Sequence, residues 1–235
     1  MRGRPAGRPL LLQTWETLLF LHWRLPAGEL APHLPAGLTV DTFDGSAWLG
    51  VVPFTMKRSR PPFGPPLPYL SDFHEINVRT YVHRQGVPGV FFFSLDATSA
   101  PAVYGARALY RLPYHLARIS LEERDGAVHY RSERRRGEAR FRAVWRVEAP
   151  LPEAQVGSLE FFLVERYALF TRRGTTLLEA RVHHEPWPLR RGTLLELESS
   201  MLSGNGLAEP GREPHVLATG PVDVEIFAPR PTVRP

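Results

Sequence analysis

The chain reads as a mainly β protein with a few short helices, an α+β domain whose large antiparallel sheet curls toward a closed or nearly closed barrel. Three observations carry that reading. Short apolar runs are bounded throughout by Gly, Pro, Asn and Asp turn signals. About ten strands joined mostly by tight turns leave little room for parallel βαβ crossovers. A β-rich chain of 235 residues can form one core without dividing, so residues 1–235 are read as a single domain. Apolar residues make up 43% and charged residues 23% of the chain, enough apolar surface to offset chain entropy, which excludes disorder.

The elements follow in order. Trp15 to Trp23 is aromatic-rich and runs into Pro-Gly chemistry, predicting one strand. Pro26 opens a helix of about two turns that Pro32 and Pro35 stop. Leu38 to Phe43 and Ala47 to Lys57 flank Asp44-Gly45, the signature of an antiparallel hairpin. The proline-rich segment from Arg58 to Leu70 reads as a stiff connector, with a pocket lid as the alternative. Residues 73 to 84 and 90 to 98 form two further strands about the turn Gln85 to Gly89. Pro101 to Tyr110 is a helix opened by its proline. Tyr114 to Glu122 and Ala127 to Ser132 form a hairpin about Arg124-Asp125-Gly126, and Glu138 to Glu148 alternates apolar and arginine positions as a half-buried strand. Ser158 caps a short helix to Leu163, and strands are expected over 175 to 185, 192 to 198 and 215 to 228, with a Gly-rich loop from Ser203 to Gly206.

Composition excludes whole classes of chemistry. With no cysteine, disulfides, thiolate metal sites and a Cys nucleophile are all ruled out. The most apolar stretch is broken by Gln13, Thr14, Glu16 and His22, so neither a membrane-spanning helix nor a signal-peptide core fits, and a cytoplasmic protein is expected. The net charge of +5 raises nucleic-acid binding, but the densest cluster, Arg131, Arg134, Arg135, Arg136, Arg140 and Arg142, is interleaved with Glu133 and Glu138 and reads as a solvated hairpin face. The expected partner is a small molecule, with no nucleic acid and no membrane; self-association stays open. His183 and His184 are adjacent, so on a strand they face opposite ways and cannot share a metal; no metal and no cofactor is expected.

Two stretches could carry chemistry. Strand periodicity puts Glu75, Asn77, Arg79 and Tyr81 on one face and His74, Ile76, Val78 and Thr80 on the other. That polar face could line an interior, although periodicity alone favours a solvent-facing surface. Tyr114-His115, where helix hands over to strand, offers a phenol and an imidazole suited to polarising an oxygen or moving a proton, or else to pinning the helix end.

The segments LLFLHWRLPAGELAPHLPAGLTVDTFDGSAWLGVVPF, SDFHEINVRTYV, GVFFFSLDATSAPAVYGARALYRLPYHLARI, FFLVERYALF, HEPWPL and VDVEIFAP span most of the chain and resemble the YqjF-like family of uncharacterised bacterial proteins. That family in turn resembles acetoacetate decarboxylase, which implies a large antiparallel barrel around a pocket. In the decarboxylases a helix ends in Pro-Lys-Lys-Leu, whose first lysine forms a Schiff base while the second lowers its pKa. Here the matching residues are Pro113-Tyr114-His115-Leu116, and the sole lysine, Lys57, sits elsewhere. The resemblance therefore implies no imine chemistry and no acetoacetate decarboxylation. It also sets Glu75 where the decarboxylases have an active-site glutamate, which turns the Glu75 face inward.

Two functions follow as expectations. One is an enzyme acting on a small oxo acid or related carbonyl compound, with Glu75, Tyr114 and His115 as catalytic groups and Arg79 and Asn77 binding substrate. The alternative is a non-catalytic container. In either case Phe54, Phe92 and Tyr104 supply aromatic lining, with Phe91 and Phe93 as further candidates.

Overall fold

A computed structural model describes residues 3–66 and 71–232. Residues 67–70, at the end of the proline-rich segment, lie outside the described residues. In chain order the strands are β1 (Leu11–Glu16), β2 (Leu18–Leu25), β3 (Thr39–Val40), β4 (Ala47–Arg60), β5 (Phe73–Arg84), β6 (Val87–Ala97), β7 (Tyr114–Arg124), β8 (Ala127–Arg134), β9 (Arg140–Pro150), β10 (Ala168–Arg173), β11 (Thr176–His184), β12 (Leu189–Ser199), β13 (His215–Thr219), β14 (Val222–Ile226) and β15 (Arg230–Pro231). The α-helices are α1 (Ala27–Leu30), α2 (Ala100–Leu109) and α3 (Leu159–Val164), with 3₁₀ turns at Ala31–His33 and Ser203–Asn205. All fifteen strands join one mixed sheet.

Most ladders are antiparallel, but β6 pairs in parallel with both β7 and β10, which corrects the expectation of a purely antiparallel sheet. Helix α2 is the cause. It carries the chain from the end of β6 back along the sheet, so Tyr114 starts beside Leu95 running the same way. Its N-terminus is capped by the Ser99 hydroxyl, which accepts from the Ala102 N–H, and proline sits in its first turn. Helix α3 is capped in the same way by Ser158. Where β6 meets β10 the backbones approach closely: a Cβ on Gly89 would lie 2.6 Å from the Ala168 carbonyl oxygen, so only glycine fits there.

Several boundaries differ from the sequence reading. Thr17, at φ 53°, splits the expected Trp15 to Trp23 strand into β1 and β2. The Asp44-Gly45 turn forms, with both residues at positive φ, but it closes only a single bridge between Phe43 and Ser46. Strand β4 is already occupied on its edges by β1, β2 and β5, so β3 pairs with β5 instead. The expected strand over 215 to 228 divides at Gly220-Pro221, and β10 is a strand that the reading missed. The Asp125-Gly126 turn joins β7 to β8 as expected, while β5 passes to β6 through Gln85-Gly86 alone, because β6 starts at Val87 and takes in the rest of the expected Gln85 to Gly89 turn; both turns have paired positive φ values.

The sheet has apolar clusters on both faces. On one side Leu49, Val51, Ile76 and Val78 pack with Tyr130, Phe141, Trp145 and Met201. On the other, Phe20, Val52, Phe54, Phe73, Leu95 and Trp187 face one another. Strand β5 lies between the two clusters, so its alternate residues are buried in both directions rather than half wetted by solvent. No helix among the described residues is long and apolar enough to cross a membrane.

Candidate functional site

The second cluster surrounds a cavity of about 280 Å³. Its walls are mostly aromatic and aliphatic, with Trp15, Phe20, Phe54, Phe92 and Trp187 among them, and its polar groups come from β5, from the stretch joining α2 to β7, and from Gln13 of β1 and Ser59 and Arg60 of β4. Register explains the convergence. Glu75 pairs with Ala97 and Asn77 with Leu95 on β6, and Leu95 pairs with Tyr114 on β7. Glu75, Asn77 and Tyr114 thus share one face of three neighbouring strands.

The Tyr114 hydroxyl donates to Glu75 Oε2 at 2.7 Å, and from the other core Tyr130 donates to the Glu75 carbonyl at 2.8 Å. Glu75 is only 2% exposed. Burial pushes its carboxyl up to about 8; the Tyr114 hydrogen bond opposes this, and the charge of Asp96 reinforces it. Burial and the adjacent Glu75 also hold the Tyr114 phenol well above its ordinary range. A carboxyl so placed is mostly protonated at neutral pH yet ionises close to it.

Arg79 follows along β5, its guanidinium 5.4 Å from the Phe20 ring centre and 5.8 Å from that of Tyr81. Nη2 donates to the Tyr81 oxygen at 3.4 Å, and the Tyr81 oxygen lies 2.6 Å from His22 Nε2. Arginine has no acceptor, so the Tyr81 proton goes to His22 Nε2, and His22 is a neutral imidazole protonated on Nδ1. Burial, then the charge of Arg79, holds the His22 pKa well below its usual value, in agreement with a neutral ring. Gly50 makes the arrangement sterically feasible: a Cβ there would meet His22 Cδ2 at 3.1 Å and Arg79 Cγ at 3.4 Å. Gly50→Ala is expected to cost about 1–3 kcal/mol through this overpacking. Urea unfolding of the variant checks it, and an unchanged midpoint would show that both side chains yield freely.

Three polar atoms on the cavity wall are buried without a hydrogen-bond partner among the described residues: Asn77 Oδ1, Arg79 Nε and the Tyr110 hydroxyl. Orphaned groups of this kind cost about 1–3 kcal/mol each.

Of the residues singled out in the sequence, Glu75, Asn77, Arg79, Tyr114, Phe54 and Phe92 line the cavity. His115 does not. Its strand neighbours are Asp96 and, one strand further, Ile76, so it faces the opposite way from Tyr114, as alternation on β7 demands. It lies instead by an arginine-rich surface groove with Arg107, Arg134 and Arg135. Tyr104 is also displaced: α2 turns Ala102, Gly105, Ala106 and Leu109 toward the cavity and leaves Tyr104 59% exposed. Phe91 and Phe93 belong to other apolar clusters. Arg134, expected on a solvated face, is buried in an ion pair with Asp96. Lys57 points away from the cavity and pairs with Asp72 at 3.4 Å. His183 and His184 do face apart, His184 stacking on Tyr167 and lying tilted against Trp187 while His183 lies by Glu225. No group of three or more His, Asp or Glu among the described residues is placed to hold a metal ion.

Tyr110 and His22 were missed. Tyr110 reads in sequence as the end of a helix, and His22 as an interruption in an apolar run; only the register of His22 with Phe20 and Leu18 placed it inward.

A model of the DUF2071 family, described as an uncharacterized conserved protein, matches residues 12–223. The chain belongs to that family. Within reach of this DUF2071 chain is the uncharacterized protein YqjF of Bacillus subtilis (strain 168), 36% identical over 212 residues, which make up 89% of this chain and 87% of that protein. Among solved structures, the enduracididine biosynthesis enzyme MppR, complexed with the condensation product of pyruvate and imidazole 4-carboxaldehyde, superposes with a TM-score of 0.69 at 13% identity over 96% of this chain and 90% of its own. Acetoacetate decarboxylase from Legionella pneumophila gives a TM-score of 0.68 at 16% identity, covering 97% of this chain and 88% of that one. At such identities the DUF2071 chain shares their fold, the acetoacetate-decarboxylase-like one.

Proposed function

We propose that this DUF2071 protein binds a small oxo acid or related carbonyl compound in the cavity and moves a proton at the carbon beside the carbonyl, without a covalent amine. The observation that carries the reading is Glu75: a buried carboxyl raised to about 8, held by Tyr114 and set in a wall otherwise largely apolar. Hydrogen-bonded neighbours run from β4 through β5, β6, β10, β11 and β14 to β1 and back to β4, which supports a closed barrel around the cavity. Structural relatives named as acetoacetate decarboxylase and as complexes with pyruvate support an oxo-acid ligand.

In this reading the ionised fraction of Glu75 takes the proton from carbon, and the electron pair of that C–H bond becomes the C=C bond of an enolate. The carbonyl oxygen takes the charge. Tyr114 has committed its proton to Glu75, so Tyr110, whose hydroxyl has no partner among the described residues, donates to that oxygen. The Arg79 guanidinium binds the carboxylate. With Lys57 the sole lysine and turned outward, an imine has no part in the step.

Proton exchange tests this. Oxo acids of three to six carbons are incubated with the protein in D₂O and followed by NMR. Deuterium is expected at the carbon beside the carbonyl, at a rate that rises with pH through about 8, and Glu75→Gln should slow it roughly 10²-fold or more. Binding without exchange would favour the container reading instead, and a panel that neither binds nor exchanges would remove both.

A further inference from the structure

We infer that the arginine-lined groove on the face of β7 turned away from the cavity is a second binding site, for a small molecule that carries a phosphate or pyrophosphate group. The groove holds about 340 Å³ between α2, the start of β7 and the bend at 135–138 that follows β8, room for a phosphorylated sugar or a nucleoside phosphate. Exposed Arg107, Arg135 and Arg136 line it together with His115, and no carboxylate does. Arg134, the buried member of the lining, already has its charge met by Asp96. The acids that the sequence interleaves with this cluster are committed elsewhere: Glu133 pairs with Arg140 at 3.6 Å, and Glu138 is not part of the lining. Arg107, Arg135 and Arg136 therefore have no carboxylate partner among the described residues. One carboxylate would balance only one of these guanidinium groups, whereas a phosphoryl group brings close to two charges and three acceptor oxygens.

The groove is also held in shape before any ligand arrives. Arg107 Nε and Nη2 both donate to the Tyr114 carbonyl, which fixes the guanidinium and leaves Nη1 to donate outward. The Arg135 N–H donates to the Leu116 carbonyl at 2.8 Å, tying the bend to β7 beside His115. Gly137, at φ 107°, lets the chain turn there. Donors placed in advance lose little freedom when an anion is seated. His115 is half-buried, and burial, then the charge of Arg134, lowers its pKa. Its neutral ring adds an N–H without adding to the repulsion among the arginines. Tyr104, so exposed on α2, gives the groove a flat aromatic face on which a base or sugar can lie. Because β7 separates this groove from the cavity, the inference stands apart from the carbonyl-acid reading.

Isothermal titration of the full chain at low salt with pyrophosphate, ADP and acetate tests it. Pyrophosphate or ADP is expected to bind at least about tenfold more tightly than acetate. Arg135→Gln combined with Arg136→Gln should weaken that binding about tenfold or more, while Arg140→Gln combined with Arg142→Gln, which removes the same charge outside the groove, should stay within about threefold of the native protein. Equal losses in the two double variants would reduce the effect to net charge and overturn the inference. So would failure of both phosphates to bind the native protein, a result that needs no variant to fold. A thymidine oligonucleotide of about ten residues binding more tightly than ADP would give the groove to nucleic acid and overturn it as well.

Discussion

A Glu75→Gln variant is expected to be more stable than the native protein above neutrality, and to lose the fall in stability that this carboxyl imposes as pH rises from about 4.5 to about 8. In the folded state Glu75 keeps its proton up to about 8; in the unfolded chain it gives the proton up near 4.5. Between those values the folded state binds the extra proton, so each pH unit costs the native protein up to about 1.4 kcal/mol. Below the lower value both states are protonated and the contribution is fully retained. Glutamine is isosteric, still accepts from Tyr114 and does not titrate. The variant should therefore lead by just under about 1 kcal/mol at pH 5, and at pH 9 by on the order of several kcal/mol. Buried histidines such as His22 and His184, whose pKa values burial lowers, add an acid-side loss common to both, so the comparison is read as a difference. Urea midpoints at pH 5, 7 and 9 supply it. Parallel curves would mean that Glu75 is ionised in the folded protein and that the proton shuttle has no basis. A gain in stability with a loss of proton exchange would mark Glu75 as a group kept at a thermodynamic cost for function.

How much of this was legible beforehand depended on which physical signal each residue carried. Local signals survived well. The Gln85-Gly86 and Asp125-Gly126 turns and the Ser158 cap formed where their chemistry put them, because each is decided by a few neighbouring residues. Pairing partners were another matter. Asp44-Gly45 made its turn but not its hairpin, since the edges of β4 were taken by strands far away in sequence. The inward face of β5 could be split from its outward face by period alone, yet period cannot say that both faces are dry. Tyr114 and His115 show the sharpest case. The alternation that separated His183 from His184 also separates these two, so only one of them could ever have reached the cavity. Asp96 and Arg134 carried no local signal, because an ion pair between β6 and β8 becomes visible only once β7 lies between them.

That ion pair is expected to be the most costly single interaction to break. Arg134 Nε and Nη2 donate to the two Asp96 oxygens at 2.8 and 2.9 Å, with side chains 6% and 0% exposed. The guanidinium also reaches the Gly-rich turn, donating to the Gly204 carbonyl and Asn205 Oδ1 at 3.4 Å, where a Cβ on Gly204 would lie 2.9 Å from Ala139. Arg134→Met removes these donors and leaves a buried carboxylate unpaired, so a loss of about 3–5 kcal/mol is expected. Asp96→Asn in the same chain removes the stranded charge, and the double variant should be less damaged than the sum of the singles. Urea unfolding of the four proteins measures the coupling, and additive losses would show that the pair contributes no mutual stabilisation. His115 lies on the Arg134 side of the sheet, away from Tyr114 and the cavity. Its replacement should therefore leave oxo-acid exchange unchanged, and a marked loss of exchange in His115→Ala would mean that the chemistry takes place on the arginine-lined face instead.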